Sequence, residues 1–435
     1  MQINVLVIGD NRDVKNWGCR STSIALTQIL SQVGNIEVIQ RLIVRKAQPI
    51  GFINALSQNN KFFQEALIRA IRINPIQLGF KMLGGNEDYI FNNPKKSVRF
   101  FRRAIGEGNI ALGKIYEKFQ KADVIAINGE GSLIFRTPPR RDLNFYLFAV
   151  ELACQMGKPI HFINTMASDC PKTPKDPEVE REVFAALQKC KSVLVRDPLS
   201  KKRLIELGLR EVDYCPDALF TWADRYGDFL NSNVPNKYRE LLDCWPESDR
   251  FRTGWSDFPS DYICVSGASR PPGLKVCTWT NIFKRIVFKI QKETGFKTVL
   301  IDPSGDSFLK EVSQETNSIF IRPQTHILMG AHILANAKAY VSGRYHPSIL
   351  ASLGGTPCTF MVSNSHKTRS LQVVLEYERI DEFAMSDETE NIDGIIKDLE
   401  FKLNQGGRLR NQIKAKTKQH SSTTVKKMVN AISLL

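Results

Sequence analysis

The sequence predicts an α/β protein made of two doubly wound, Rossmann-like domains that face each other across a cleft. Three observations carry that expectation. Short apolar runs of strand character alternate with segments of helical spacing over residues 3–220, and the alternation resumes over 262–362. Between the two series, residues 223–260 are rich in Pro, Asp, Trp, Asn and Ser and hold no hydrophobic period. The 435 residues, 42% of them hydrophobic, are ample for two cores. The expected organisation is an N-terminal domain over 1–222 with a basic insertion at 41–121, and a linker with an inserted excursion over 223–260. A C-terminal domain over 261–400 and a basic helical tail over 401–435 complete it.

The first series opens with a strand over 3–8 that ends in Gly9-Asp10. A polar loop follows, and Ser21 or Thr22 starts a helix carrying Ile24, Ala25, Ile29 and Leu30. Strand, loop and helix in this order begin a doubly wound domain and bring the loop, with Asn16 and Gly18, to the cleft. No G-x-G-x-x-G is present, which argues against a dinucleotide. A second strand is expected over 38–44. Segments 62–73 and 98–105 have helical spacing with Lys and Arg at their margins. They read as half-buried helices with a charged outer face, the alternative being helices that rest on a membrane.

A buried strand over 123–127 then meets Asn128-Gly129-Glu130-Gly131-Ser132, small flexible residues that let a ligand approach the backbone. Glu130 is a group there that can take a proton from a hydroxyl. Strands at 159–163 and 192–195 alternate with helices at 142–156, 177–189 and 198–207. Arg196-Asp197-Pro198-Leu199-Ser200 sits at the end of the last strand, and Pro216-Asp217 lies within 212–220.

The second series has strands at 262–266, 297–301, 318–321, 339–342 and 358–362, with helices at 279–293, 306–315 and 325–336. Its most informative stretch is Ser342-Gly343-Arg344-Tyr345-His346-Pro347. Pro347 suits the first turn of a helix, Ile349, Leu350 and Leu353 give that helix a buried side, and Gly354-Gly355 stops it. The arrangement fixes a guanidinium and an imidazole at the carboxyl end of a strand, beside a helix N-terminus, where open α/β sheets bind anions. Lys367 is a further cation just after the 358–362 strand. Helices over about 390–404 and 408–434 end the chain.

Taken together, these motifs resemble the polysaccharide pyruvyltransferase family. Ser342-Gly343-Arg344-Tyr345-His346-x7-Gly354-Gly355-Thr356-Pro357 is similar to the family's C-terminal signature. Asn16-x-Gly18 resembles its N-terminal motif, which often continues with Asp where this chain has Cys19. Asn128-Gly129-Glu130-Gly131 stands where the family commonly has Gly-Gly-Gly, Arg196-Asp197-Pro198-Leu199-Ser200 resembles its Arg-Asp-x-x-Ser, and Pro216-Asp217 and Lys367 also have counterparts. The resemblance implies a glycosyltransferase-B-like architecture. It also implies transfer of a pyruvyl group from phosphoenolpyruvate to a sugar of a surface polysaccharide or its lipid-linked precursor, closing a ketal on two hydroxyls. In that reading His346 and Arg344 are catalytic. Arg196, Arg344, Ser342, Gly343 and Lys367 bind the donor, while Asn16, Gly18, Asn128 and Glu130 lie on the acceptor side. Phosphoenolpyruvate is a co-substrate, no cofactor is needed, and no metal-ligand cluster is visible. A nucleotide-sugar-dependent glycosyltransferase on the same fold, or a non-catalytic scaffold in polysaccharide assembly, are the alternatives.

The formal net charge of +15 is concentrated in two places. Residues 41–121 hold 15 Lys/Arg against 5 Asp/Glu, and residues 401–435 hold 8 Lys/Arg and no acidic residue. Such segments suit an anionic surface, here the inner face of a membrane or a diphosphate-linked lipid. No nucleic-acid-binding signature is present. Nine scattered Cys without a Cys-x-x-Cys pair read as reduced thiols of a cytoplasmic protein. The chain enters a strand without a signal sequence, and no apolar run is long enough to span a bilayer.

Overall fold

The computed structural model describes residues 2–40, 89–171, 173–230, 259–271, 273–384 and 389–433. The helix expected at 62–73, the end of the strand expected at 38–44 and residues 231–258 of the expected linker lie outside them. The first domain holds six strands, β1 (Ile3–Asp10), β2 (Gly34–Gln40), β3 (Val124–Phe135), β4 (Ile160–Asp169), β5 (Ser192–Val195) and β6 (Asp213–Tyr214). They pair in the order β2-β1-β3-β4-β5-β6, all parallel. The second domain holds β7 (Tyr262–Ser266), β8 (Lys297–Ile301), β9 (Ile319–Ile321), β10 (Ala339–Ser342) and β11 (Cys358–Phe360) in the order β11-β10-β7-β8-β9, again all parallel. Both sheets are doubly wound. Their strand order reverses between β1 and β3 in the first and between β7 and β10 in the second, the positions where such sheets bind ligands beyond their carboxyl ends.

The helices are α1 (Trp17–Leu30), α2 (Pro94–Gly106), α3 (Ile110–Lys121), α4 (Arg141–Gln155), α5 (Pro177–Leu187) and α6 (Pro198–Glu206) in the first domain. A 3-10 turn (Ala218–Thr221) and two single-turn helices, α7 (Trp222–Arg225) and α8 (Gly227–Leu230), follow. The second domain has α9 (Val276–Thr294), α10 (Phe308–Glu315), α11 (Ile327–Asn336), α12 (Tyr345–Leu353), α13 (Lys367–Val374) and α14 (Thr389–Asn404), and α15 (Gly406–Ser433) ends the described chain.

Several boundaries differ from the sequence expectation for identifiable reasons. Helix α1 begins at Trp17, because the Asn16 side chain accepts from the Cys19 amide at 3.2 Å and caps it. Strand β3 runs through the Gly-rich stretch to Phe135 instead of stopping before it. Its register against β4 shifts between Glu130 and Leu133, and Glu130 and Asn164 both take positive φ there. The ladder is kinked, so the loop expected at a strand end is a bulge within a strand. Residues 223–230, placed in the linker by composition, continue the first domain from Trp222 as α7 and α8 and bury Phe229 and Leu230 in the core.

One core covers each sheet's outer face, Leu6, Ile8, Phe145 and Phe148 in the first domain and Ile263, Val265, Phe283 and Ile286 in the second. A third runs unbroken between the domains, from Val5, Val7 and Ile24 through Trp17, Phe220 and Trp222 to Leu328, Tyr340 and Ile349. Trp17 is its pivot. Its amide donates to the Pro303 carbonyl and its indole N–H to the Pro323 carbonyl, both at 2.9 Å. Gly330 on α11 leaves room for the ring, since a Cβ there would overlap it. Helix α15 then straps back onto the first domain, where Thr424 Oγ1 donates to the Pro216 carbonyl at 3.1 Å. Trp17→Ala is expected to cost about 3–5 kcal/mol of unfolding free energy, as for other large-to-small aromatic core substitutions, measured by denaturant titration.

Candidate active site

The carboxyl ends of the two sheets meet around Arg196, Asp217 and His346. Arg196 follows β5, its amide donates to the Thr165 carbonyl of β4 at 2.8 Å, and its side chain is 2% exposed. Asp217 caps the 3-10 turn and has no exposure at all. Its Oδ1 accepts from Thr22 Oγ1 at 2.8 Å and from the Leu219 amide at 2.9 Å, while Oδ2 accepts from Arg196 Nη1 at 3.2 Å. His346, in the first turn of α12, brings Nε2 within 3.4 Å of the same oxygen and 3.2 Å of Arg196 Nη1. Burial alone would raise the Asp217 carboxyl, but His346 and Arg196 outweigh it and hold it well below the usual carboxylate range. Arg196 also lies over the Tyr345 ring at 4.4 Å, so a first-domain guanidinium is fixed by two consecutive residues of the second domain.

A second imidazole–carboxylate pair lies nearby. His366 Nε2 is 3.2 Å from Asp197 Oδ1 and 3.3 Å from Ser200 Oγ. Ser200 Oγ donates to Asp197 Oδ2 at 2.7 Å, and Asp197 caps α6. Burial would raise the Asp197 carboxyl, yet His366 and Ser200 lower it. This pair also crosses the domain boundary.

Arg344 is the N-cap residue of α12 and pairs with Asp306 through Nη2, while its buried Nε has no hydrogen-bond partner. Ser342 accepts from the Arg344 amide at 2.9 Å and shares a hydrogen bond with Ser266 at 2.8 Å, which ties the ends of β10 and β7 together. Gly343 packs on Ala268, where a Cβ would lie 2.8 Å from the Ala268 Cα. Lys367 opens α13, and among the described residues its ammonium makes no ion pair or hydrogen bond. Burial, followed by the charges of Arg196 and Arg140, lowers its pKa to about 7. Arg196, Arg344, Lys367 and Arg140 thus form one cationic group at the junction of the domains.

The acceptor-side candidates lie at the first sheet's switch point. Asn16 spends its side-chain oxygen on the α1 cap. Gly18 lies against His346, so that a Cβ would stand 2.7 Å from the ring Nδ1. Asn128 donates to the Gly9 carbonyl and to Ser23 Oγ, each at 3.3 Å, and accepts from Asn164 at 3.1 Å. Glu130 is 2% exposed and accepts from Asn11 at 2.6 Å. Both Asn128 and Glu130 therefore stand in a buried polar network that also reaches Thr22 and Asp217, through Asn164 Nδ2 donating to Thr22 Oγ1 at 3.1 Å. Asp217, Tyr345, Asp306, His366 and Arg140 were not singled out as site residues from the sequence. Asp217 and Tyr345 stood inside motifs already read, whereas Asp306, His366 and Arg140 carried no local signal.

Asp217→Asn is expected to destabilise the fold by about 3–5 kcal/mol, because it leaves Arg196 without its buried counter-charge. The wild-type contribution is present above about pH 4, the usual Asp value, and is lost as pH falls towards the depressed native value. Denaturant unfolding at neutral and acid pH checks both, since the two proteins should converge in stability as pH falls.

The sequence profile of the polysaccharide pyruvyl transferase family matches residues 23–366. No curated protein matches the chain. Among solved structures, the UDP-GlcNAc 2-epimerase of Neisseria meningitidis bound to UDP-GlcNAc is similar with a TM-score of 0.53 at 12% identity, covering 99% of both chains. A UDP-forming α,α-trehalose-phosphate synthase from Burkholderia xenovorans gives 0.51 at 10% identity, covering 100% of this chain and 99% of that one. At these identities the likeness is one of fold, and the fold is glycosyltransferase-B-like. The profile runs from within α1 to the residue before α13 and contains Arg196, Asp217, Arg344 and His346, and the chain belongs to the polysaccharide pyruvyl transferase family.

Proposed function

We propose that the protein transfers a pyruvyl group from phosphoenolpyruvate to a sugar of a surface polysaccharide or its precursor, closing a cyclic ketal on two hydroxyls. The observation that carries this reading is the cationic group of Lys367, Arg196, Arg140 and Arg344 where the two domains meet, with His346 3.2 Å from Arg196 Nη1. Phosphoenolpyruvate is small and carries up to three negative charges on a carboxylate and a phosphate. Planar guanidinium groups bind such oxyanions in a two-pronged fork, and an ammonium at the start of a helix suits the phosphate.

In this reading the methylene carbon of the donor takes a proton from His346, and C2 becomes electrophilic. One sugar hydroxyl attacks C2 and a second replaces the phosphate. Two hydroxyl protons leave the sugar, one restoring the imidazolium and the other departing with the phosphate, so the balance closes without a further reactant. Asp217, 3.4 Å from Nε2, gives the imidazolium an anionic partner between turnovers. The buried network of Asn128 and Glu130 sets the first-domain wall on which the sugar rests.

The test is phosphate release from phosphoenolpyruvate in the presence of sugar acceptors, with donor binding followed by calorimetry. His346→Gln should bind the donor but lose most turnover, about a hundredfold or more, because proton delivery is needed in the transition state. Arg344→Ala should weaken donor binding as well. Wild-type turnover in a folded His346→Gln protein removes His346 as the acid. Turnover of a nucleotide-sugar in place of phosphoenolpyruvate would move the glycosyltransferase reading ahead, and no turnover of either would favour a scaffold.

Lys367 supplies an independent check. A bound phosphate raises the pKa of its ammonium from about 7, so donor binding near pH 7.5 takes up a proton. Calorimetry in buffers of different ionisation enthalpy should show uptake of a substantial fraction of one proton, lost in Lys367→Met.

A further inference from the structure

The two basic stretches of the chain are used differently by the fold. In the C-terminal one, four of the eight cations are held by the body of the protein. Arg410 donates to the carbonyls of Ala335 at 2.9 Å and Ala337 at 3.0 Å, and Lys427 donates to the Tyr214 carbonyl at 2.8 Å. Lys416 pairs with Glu376 at 2.7 Å, and the buried Lys402, paired with Asp398 of its own helix at 2.6 Å, donates to the Cys358 carbonyl of β11 at 2.8 Å. These cations fasten α14 and α15 to the body of the protein.

Helix α2 does the reverse. It buries Val98, Phe101 and Ala104 and leaves Lys95, Lys96, Arg99, Arg102 and Arg103 exposed along 13 residues that contain no Asp or Glu. The one carboxylate at its end, Glu107, is 3.5 Å from Arg103. Phe91 and Phe100 are half-buried at the same face with ring centroids 4.9 Å apart. Lys96 lies 4.5 Å over the first ring and Arg103 4.6 Å over the second. Five like charges on one short helix repel each other in water and gain from an extended negative surface. Aromatic rings among such cations suit the boundary between lipid headgroups and acyl chains.

The helix also stands next to the site. Asn92, just before it, accepts from Asn144 at 2.8 Å, and Arg141 lies 5.7 Å over the Tyr89 ring. Both partners belong to the first turn of α4, which on its other side meets the bulged strand β3. There Arg140 donates to the Gly131 carbonyl and Ser132 to Asp142, each at 3.3 Å.

We propose that the outer face of α2 docks the protein on an anionic lipid bilayer and sets the first-domain side of the cleft next to the headgroups. Charge complementarity favours that occupant, and the proposal does not rest on the reaction assigned above. Among the described residues no helix is long and apolar enough to cross a membrane, so the contact is a surface one.

Sedimentation of the full chain with vesicles tests this. Wild-type protein should bind vesicles of equal phosphatidylglycerol and phosphatidylcholine at about 50 mM salt, release at about 500 mM, and ignore pure phosphatidylcholine. Each basic residue near such a surface contributes about fivefold in partitioning. Reversal of two (R99E/R102E) should therefore weaken binding at least about a hundredfold, and the neutral pair R99Q/R102Q should weaken it less. Reversal of two exposed tail residues (K418E/K426E) should change it by less than about threefold. Matching melting curves show that the variants are folded. The proposal is overturned by absent wild-type binding at low salt, by wild-type affinity in R99E/R102E, or by loss of binding in the tail variant alone. Binding to single-stranded poly-uridine RNA with none to the vesicles also overturns it.

Discussion

One carboxylate with no access to water organises the centre of this protein. Removing Asp217 from solvent costs several kcal/mol unless every lone pair finds a partner. The partners come from four places: Thr22 in α1, the Leu219 amide of its own turn, Arg196 after β5, and His346 in α12. The first three belong to one domain and the fourth to the other. The carboxylate therefore does what no apolar contact does, because its partners must stand at fixed distances and angles. The guanidinium and imidazole that the proposed chemistry needs are brought within 3.2 Å of each other by an anion that neither sequence motif contains.

The surrounding fold makes that geometry rigid. The shared core runs from β1 through Trp17 to α11 and α12, so the floor of the cleft is packed rather than hinged at this point. Helix α15 closes the arrangement from behind by bonding to Pro216 and Tyr214, on the segment that carries Asp217. His366 and Asp197 add a second polar crossing, and Met166 meets both Ser365 Oγ, at 3.8 Å, and Arg196 Nη2, at 4.0 Å. Two imidazole–carboxylate pairs and one tryptophan thus fix the relation of the domains at the site.

Much of this architecture was legible in the sequence because parallel strands, covered on both faces, read as continuous apolar runs between helical segments. The order of β1, β3, β4 and β5, and the whole series from β7 to β11, follows from that pattern. What failed locally failed for local reasons. The Asn16 cap moved the start of α1, and paired positive-φ residues carried β3 through a stretch that composition marks as a loop. At the site, Arg196, Arg344, His346 and Lys367 were legible because each stands at a strand end beside a helix start. The pairings of Arg344 with Asp306 and of His366 with Asp197 were not, since they join residues 38 and about 170 positions apart, and nothing in either stretch names the other. Asn128 and Glu130 were legible as polar residues in a Gly-rich stretch after an apolar run, but their engagement with Ser23, Asn164 and Asn11 depends on how β1, β3 and β4 lie side by side.

The balance of charge at the junction has a further consequence. Arg196 has Asp217, and Arg344 has Asp306, so each guanidinium is held in place while keeping part of its donor edge free. Among the described residues Lys367 has no carboxylate partner, and burial together with the neighbouring cations makes its charged form costly. In the proposed reaction, two compensated arginines and one uncompensated lysine set an electrostatic demand that the polyanionic donor meets and a neutral sugar does not. The demand is local, because the buried Arg196 and the partly buried Arg344, Arg140 and Lys367 are less screened by water and salt than charges on an open surface. The same geometry orders the roles of the groups. In the proposed reaction the two arginines, held by Asp217 and Asp306, serve as fixed clamps. His346 Nε2 stands 3.2 Å from one clamp, Arg196, and 3.4 Å from its counter-anion, Asp217. The ring that delivers the proton in the proposed reaction is thereby held in place by both Arg196 and Asp217.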